Sequence, residues 1–246
     1  MKLIVNADDF GYSKAVNLGI LEVYKHGVLT SATMMTNMPG VEHAFQLYKE
    51  NPGLGVGIHL VLSAGKPVNS NVPSLVDDRG YFKKLNVLEK EADIEDIKKE
   101  FNSQMEKFTS FGFMPTHIDS HHHIHFDPRI LSIVVDMARK YNLPIRQSKK
   151  DLEDKGYSDI KSVENFIGKF YGKDLSIDKF IELIELSKDS NTAEMMCHPG
   201  YVDKILLDNS SYNVHRTNEV DILTSSKAIE IIKKYNIQLI NYKNLN

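Results

Sequence analysis

Short apolar runs alternate along the chain with longer stretches whose apolar residues recur three and four positions apart, the two periods of strand and helix. "KLIVNADD" opens as a strand. Ser13 follows as an N-cap, Val16, Ile20, Val23 and Tyr24 share one helical face, and Gly27 stops the helix. "VLTSATMMTN" with residues 41–50 forms a second such unit, and "GVGIHLVL" begins a third. After a loop-like stretch, 63–90, the pattern predicts a helix over about 93–111 that starts at Asp93 and stops near Gly112. "PTHIDS" reads as strand four. Asp127-Pro128 caps a helix through about Tyr141, and "LPIRQS" reads as strand five. Residues 158–188 read as two helices around Gly172, "AEMMCHP" as strand six, about 218–235 as the last helix, and "IQLINY" as strand seven.

Strands alternating with helices pair in parallel through right-handed crossovers. The strand ends carry the polar residues: Asp8 and Asp9, Asn37, His59, the histidine run after strand four, Arg146 and Gln147, His198 and Asn241. Functional groups converging from many carboxyl ends are the anatomy of a β/α barrel, so the expected fold is an α/β barrel of seven or eight parallel strands. "ADDFGYS" has the wrong spacing for a dinucleotide or phosphate loop, which argues against an open nucleotide-binding sheet. No linker, repeat or low-complexity tract divides the chain, so 1–246 is expected to be one domain, with 63–90 and 149–175 as rim segments.

Composition narrows the partners. The 41% hydrophobic content of these 246 residues supports a substantial core, and a net charge of −3 with dispersed lysines and arginines excludes a nucleic-acid footprint. An opening apolar run of three residues is too short for a signal peptide, and no later run approaches a membrane span. A cytoplasmic protein with no membrane partner is expected. Cys197 is the only cysteine, which rules out an intrachain disulfide, and it reads as a small buried apolar residue rather than a nucleophile.

The chemistry concentrates in few residues. Asp8 and Asp9 end an apolar strand, where successive side chains face opposite ways; one could bind a metal while its neighbour handles a proton, and one could simply cap the next helix. His59 is a lone histidine in an apolar strand. "HIDSHHHIH" places His117, His121, His122, His123 and His125, half of all ten histidines, within nine positions. If strand geometry holds to residue 121, His117, Asp119 and His121 share a face. Together with Asp9 and His59 the cluster points to a divalent metal, with at most two of the five histidines as ligands and the others orienting them or meeting substrate. His198, followed by Pro199 and Gly200, suits either a general acid or base or a turn. Phe10, Tyr12 and Tyr201 lie near motif ends, where a sugar ring could pack, although each alone reads as an ordinary core or rim aromatic.

"IVNADDFGYS", "GIHLVLSAGKP", "PTHIDSHHHIH" and "MMCHPGYVD" resemble, in this order and across essentially the whole chain, the YdjC-like carbohydrate deacetylases, which include chitooligosaccharide deacetylases. The "TNEVDILTS" stretch, with Arg216 before it, is similar to that family's ending. The resemblance implies a distorted (β/α) barrel akin to polysaccharide deacetylases, with Asp9, His59 and His121 as metal ligands, Asp8 as general base and His198 as general acid. It implies hydrolysis of N-acetyl groups on sugars by a metal-activated water, and a homodimer. The family is usually described with Mg²⁺, whereas two imidazoles and a carboxylate suit Zn²⁺, Co²⁺ or Fe²⁺. Two alternatives stand beside this: a metal-dependent barrel hydrolase of another amide, ester or phosphoester, and a non-catalytic metal-dependent sugar binder, which would need no base at Asp8.

Overall fold

In the computed structural model, which describes residues 1–245, the chain alternates strands and helices. In order these are β1 Lys2–Phe10, α1 Lys14–His26, β2 Ser31–Met34, α2 Val41–Glu50, β3 Gly55–Leu60, α3 Leu85–Glu91, α4 Ile94–Ser110 and β4 Ile118–Ser120. There follow α5 Pro128–Tyr141, α6 Lys149–Asp154, β5 Asn165–Ile167, α7 Ile177–Ser187, β6 Thr192–Cys197, α8 Lys204–Asn209, α9 His215–Thr224, α10 Ser226–Lys234 and β7 Gln238–Leu239. The capping residues act where the sequence places them. Ser13 Oγ accepts the Val16 N–H, Asp93 accepts from Glu95 and Asp127 from Arg129, which fixes where α1, α4 and α5 begin.

Every named strand pair is parallel, in the order β4-β3-β2-β1-β6-β5, with β7 beside the first residues of β1. Two single bridges, Ile118 to Ile145 and Ser148 to Val163, carry the ring from β4 round to β5. The result is a distorted barrel of seven parallel strands, in agreement with the expected fold. Along β1, Leu3, Val5 and Ala7 pack outward into the main core under the helices, while Ile4, Asn6 and Asp8 point into the barrel. Glu194 on β6, His59 on β3 and Asp119 on β4 also face inward and meet one another's partners there.

Four local expectations fail. The stretch 63–90, read as loop-like, runs into α3, Leu85–Glu91. "LPIRQS" makes bridges but no strand: Pro144 has no N–H to give, and Ser148 is already the N-cap of α6, accepting from Asp151. Residues 158–188 hold one helix rather than two. Ile160, Val163, Ile167 and Phe170 recur at helical spacing, but 165–167 pair with 193–195 as β5, so tertiary pairing overrides the local period. The last helix is broken at Ser225, whose hydroxyl accepts the Ala228 N–H and restarts the chain as α10. Strand seven is two residues long, and Asn241 then caps a turn that tucks Tyr242 into the barrel base.

Candidate metal centre

The carboxyl ends of β1, β3, β4 and β6 open into a cavity of about 860 Å³ lined by Asp8, Asp9, His59, His121 and His198 among others. Strand alternation would send Asp9 away from Asp8. Instead the pairing of β1 with β2 slips between Ala7 and Phe10, and Asp9 takes a left-handed φ of 67°. This bulge corrects the expectation of opposite faces by turning both carboxylates into one cavity. A left-handed non-glycine residue costs about 1–2 kcal/mol, a strain that collects at functional sites.

Asp9 Oδ2 is held by the Arg216 guanidinium at 2.6 Å, while Oδ1 is buried without a donor. That oxygen lies 3.5 Å from His59 Nε2 and 3.1 Å from His121 Nδ1. One atom from each of the three residues falls within 4.8 Å of the others. Asp119 Oδ1, 2.7 Å from His59 Nδ1, fixes the imidazole orientation and leaves Nε2 for the shared space. Burial pushes the His59 ring toward neutrality, but Asp119 and the two aspartates of β1 hold its pKa up at about 8. An orphaned carboxylate oxygen between two imidazoles is a donor set that fits a divalent cation.

Asp8 is differently placed. Despite full burial, Arg146 holds its pKa below the usual carboxylate range, with Nη1 and Nη2 donating to its two oxygens at 2.7 and 2.6 Å. The same guanidinium reaches Asp119 at 2.8 Å and Glu194 at 2.8 Å, and the Tyr242 hydroxyl donates to Glu194. A second grouping, Asp8, His59 and Asp119, thus already has its cation in Arg146. His198 Nε2 stands 3.8 Å from Asp8 Oδ2. Burial pushes this imidazole down to about 4, although both aspartates oppose the shift, so it is neutral near pH 7.

The histidine run divides. β4 ends at Ser120, and His122 and His123 are left-handed, with φ of 57° and 53°. Both line the cavity with His121. His117 lies below the site, stacked on Tyr242 at 3.7 Å, in a space open only because Gly57 has no Cβ; one there would sit 2.4 Å from the ring. His125 is buried between Ser120 Oγ and the Arg146 carbonyl. Among the aromatics, Tyr12 lines the cavity, Phe10 is core, and Tyr201 is a surface residue outside the lining. Cys197 is buried and its thiol donates to the Asn6 carbonyl, as a structural cysteine does. Sequence reasoning placed Asp119 only on a face shared with His117 and His121, and it missed Glu194, Glu219 and Tyr212; a glutamate inside the apolar run "AEMMC" was the available signal for one of these.

The sequence profile of the YdjC-like proteins matches residues 2–234. The chain belongs to the YdjC-like family. This YdjC-like chain is 48% identical over 246 residues to a carbohydrate deacetylase of Clostridium beijerinckii, covering 100% of both. It is 39% identical to a chitooligosaccharide deacetylase of Yersinia enterocolitica, over 98% of this chain and 97% of that one. A crystal structure from Enterococcus faecalis V583, provisionally described as a cellobiose-phosphate cleavage protein, superposes with a TM-score of 0.93 at 37% identity, covering 99% and 98% of the two chains.

Proposed function

We propose that this YdjC-like chain is a metal-dependent carbohydrate deacetylase that hydrolyses the acetamide of N-acetylated sugars of the chitooligosaccharide type. Asp9, His59 and His121 hold the divalent ion, and the buried, donor-free Asp9 Oδ1 between two imidazoles is the observation that carries the assignment. Such an ion, once bound, polarises the acetyl carbonyl and acidifies water. The rest falls to the protein. Asp8, fixed by Arg146 beside the cavity, takes the proton of the attacking water on Oδ2, the oxygen nearer His198. His198 enters the reaction neutral and gains that proton from Asp8. It passes it to the departing amine, so acetate and a free amino sugar leave with no net change in the protein.

Relatives named as carbohydrate and chitooligosaccharide deacetylases support the substrate class. Ligand softness favours Zn²⁺, Co²⁺ or Fe²⁺, whereas the family resemblance favours Mg²⁺. We further propose one domain over 1–246, a cytoplasmic location and a homodimer, the last checked by light scattering. Among the described residues no helix is long and apolar enough to cross a membrane. The direct test is acetate release from N,N′-diacetylchitobiose, lost on chelation and restored by one of these ions. Metal-independent release, or binding of the disaccharide without release by the metal-loaded protein, would overturn the proposal.

A further inference from the structure

Tyr171 is a large aromatic residue left 50% exposed, yet its ring is packed against two others. It follows the buried Phe170, which packs edge-on against Phe180, and precedes Gly172, whose φ of 117° turns the chain. No atom lies within 4 Å of where a Cβ on Gly172 would sit, so glycine is needed there for its backbone angle alone. The Gly172 N–H donates to the Tyr212 hydroxyl at 3.2 Å, and that hydroxyl donates to Glu219 at 2.5 Å. Glu219 also accepts the backbone N–H of His198. On this frame the Tyr171 ring stacks on Tyr212 at 4.1 Å and 28°, and meets the His198 ring edge-on at 5.2 Å.

Both tyrosines and His198 line the cavity. Stacking occupies one face of Tyr171, and among the described residues no other ring or cation covers the second. Tyr81 also lines the cavity and is 45% exposed, but Lys66 Nζ lies 4.8 Å over its ring. Tyr201, exposed outside the cavity, has no such frame. A pyranose ring presents a face of C–H bonds that packs on an aromatic face while its hydroxyls stay wet. An aromatic ring already immobilised loses little entropy in receiving it.

We infer that Tyr171 is a specificity-determining residue, the platform on which the pyranose ring of the substrate stacks and which presents its acetamide beside His198. This rests on the deacetylase function proposed above and assigns the 149–175 rim segment a part in substrate choice. The test combines acetate-release kinetics on N,N′-diacetylchitobiose with calorimetric binding of the same sugar to metal-free protein, where no turnover occurs. Tyr171→Ala should raise KM and Kd about tenfold while moving kcat less than about threefold. Tyr171→Phe, which keeps the ring, should stay within about twofold of the parent, and metal content should be equal in all three. If Tyr171→Ala unfolds, Tyr171→Leu keeps apolar bulk without a flat face and should show the same rise. An active parent whose KM is unmoved by these changes overturns the platform and leaves the deacetylase intact. Tyr171-dependent binding without acetate release sinks the deacetylase and keeps the platform; a parent that neither binds nor hydrolyses the sugar sinks both.

Discussion

Asp8 and Asp9 are adjacent, equally buried and each paired with a buried arginine, yet the two carboxylates end in opposite states. Arg146 spans both oxygens of Asp8, and Asn6 adds a donor at 3.1 Å, so that charge is neutralised from within the protein. Arg216 takes only Oδ2 of Asp9 and leaves Oδ1 facing two imidazoles. Residue type and burial are thus shared, and the direction of the hydrogen-bond donors alone leaves one carboxylate saturated, the proposed base, and the other with an open oxygen, the proposed metal ligand.

The contrast is broken most directly by neutralising each carboxylate in turn. Asp9→Asn should empty the proposed metal site, read as metal per protein by elemental analysis, and lower acetate release by about 10³-fold or more, since a bound ion would supply several kcal/mol of charge stabilisation. Asp8→Asn should keep the metal and lower kcat by about 10²–10⁴-fold, the range for a lost general base. Should Asp8→Asn lose metal as fully as Asp9→Asn, the two carboxylates share one role and the division fails. A smaller effect sharpens the same boundary through Asp119, which touches both regions, His59 at 2.7 Å and Arg146 at 2.8 Å. Asp119→Asn should weaken metal affinity about 10–100-fold by loosening the His59 ring, as titration calorimetry would measure.

Much of this arrangement was legible because strand alternation is local. "KLIVN", "GVGIHL" and "AEMMC" each read as strands, and their polar ends assemble into one cavity because parallel strands bring their carboxyl ends to one rim. What escaped was what no local period encodes. Asp9 enters the cavity only through a left-handed bulge, which the sequence "ADDF" does not announce. His117 and His121 look alike in "HIDSHHH", but one stacks under the site on Tyr242, more than a hundred residues away in sequence, while the other reaches Asp9. Arg146 was visible as a polar residue in "LPIRQS", but its partners Asp8, Asp119 and Glu194 come from three different strands.

The smallest effect concerns protons competing for the metal site. Against the pull of burial, Asp119 holds folded His59 at about 8, above its ordinary value of 6.5. A histidine whose folded pKa is raised contributes stability that is fully present below its unfolded pKa and lost as pH climbs through the folded one. Metal-free protein should therefore lose roughly 2 kcal/mol of stability to urea between about pH 6.5 and 8 from His59. Glu194 and Glu219, raised to about 7 by burial, act with the same sign from 4.5 upward. Below 6.5 the imidazoles of His117, His122, His125 and His198, pushed down to about 3 to 4 by desolvation, act with the opposite sign, so the window above 6.5 is the one that reads His59. Asp119→Asn removes the carboxylate that lifts His59, and should flatten the profile between about pH 6.5 and 8. Metal affinity should move the other way, rising up to about tenfold per pH unit as the His59 proton is shed and levelling above about pH 8. If stability and affinity change in the same direction across that window, His59 is not the group that proton and metal share.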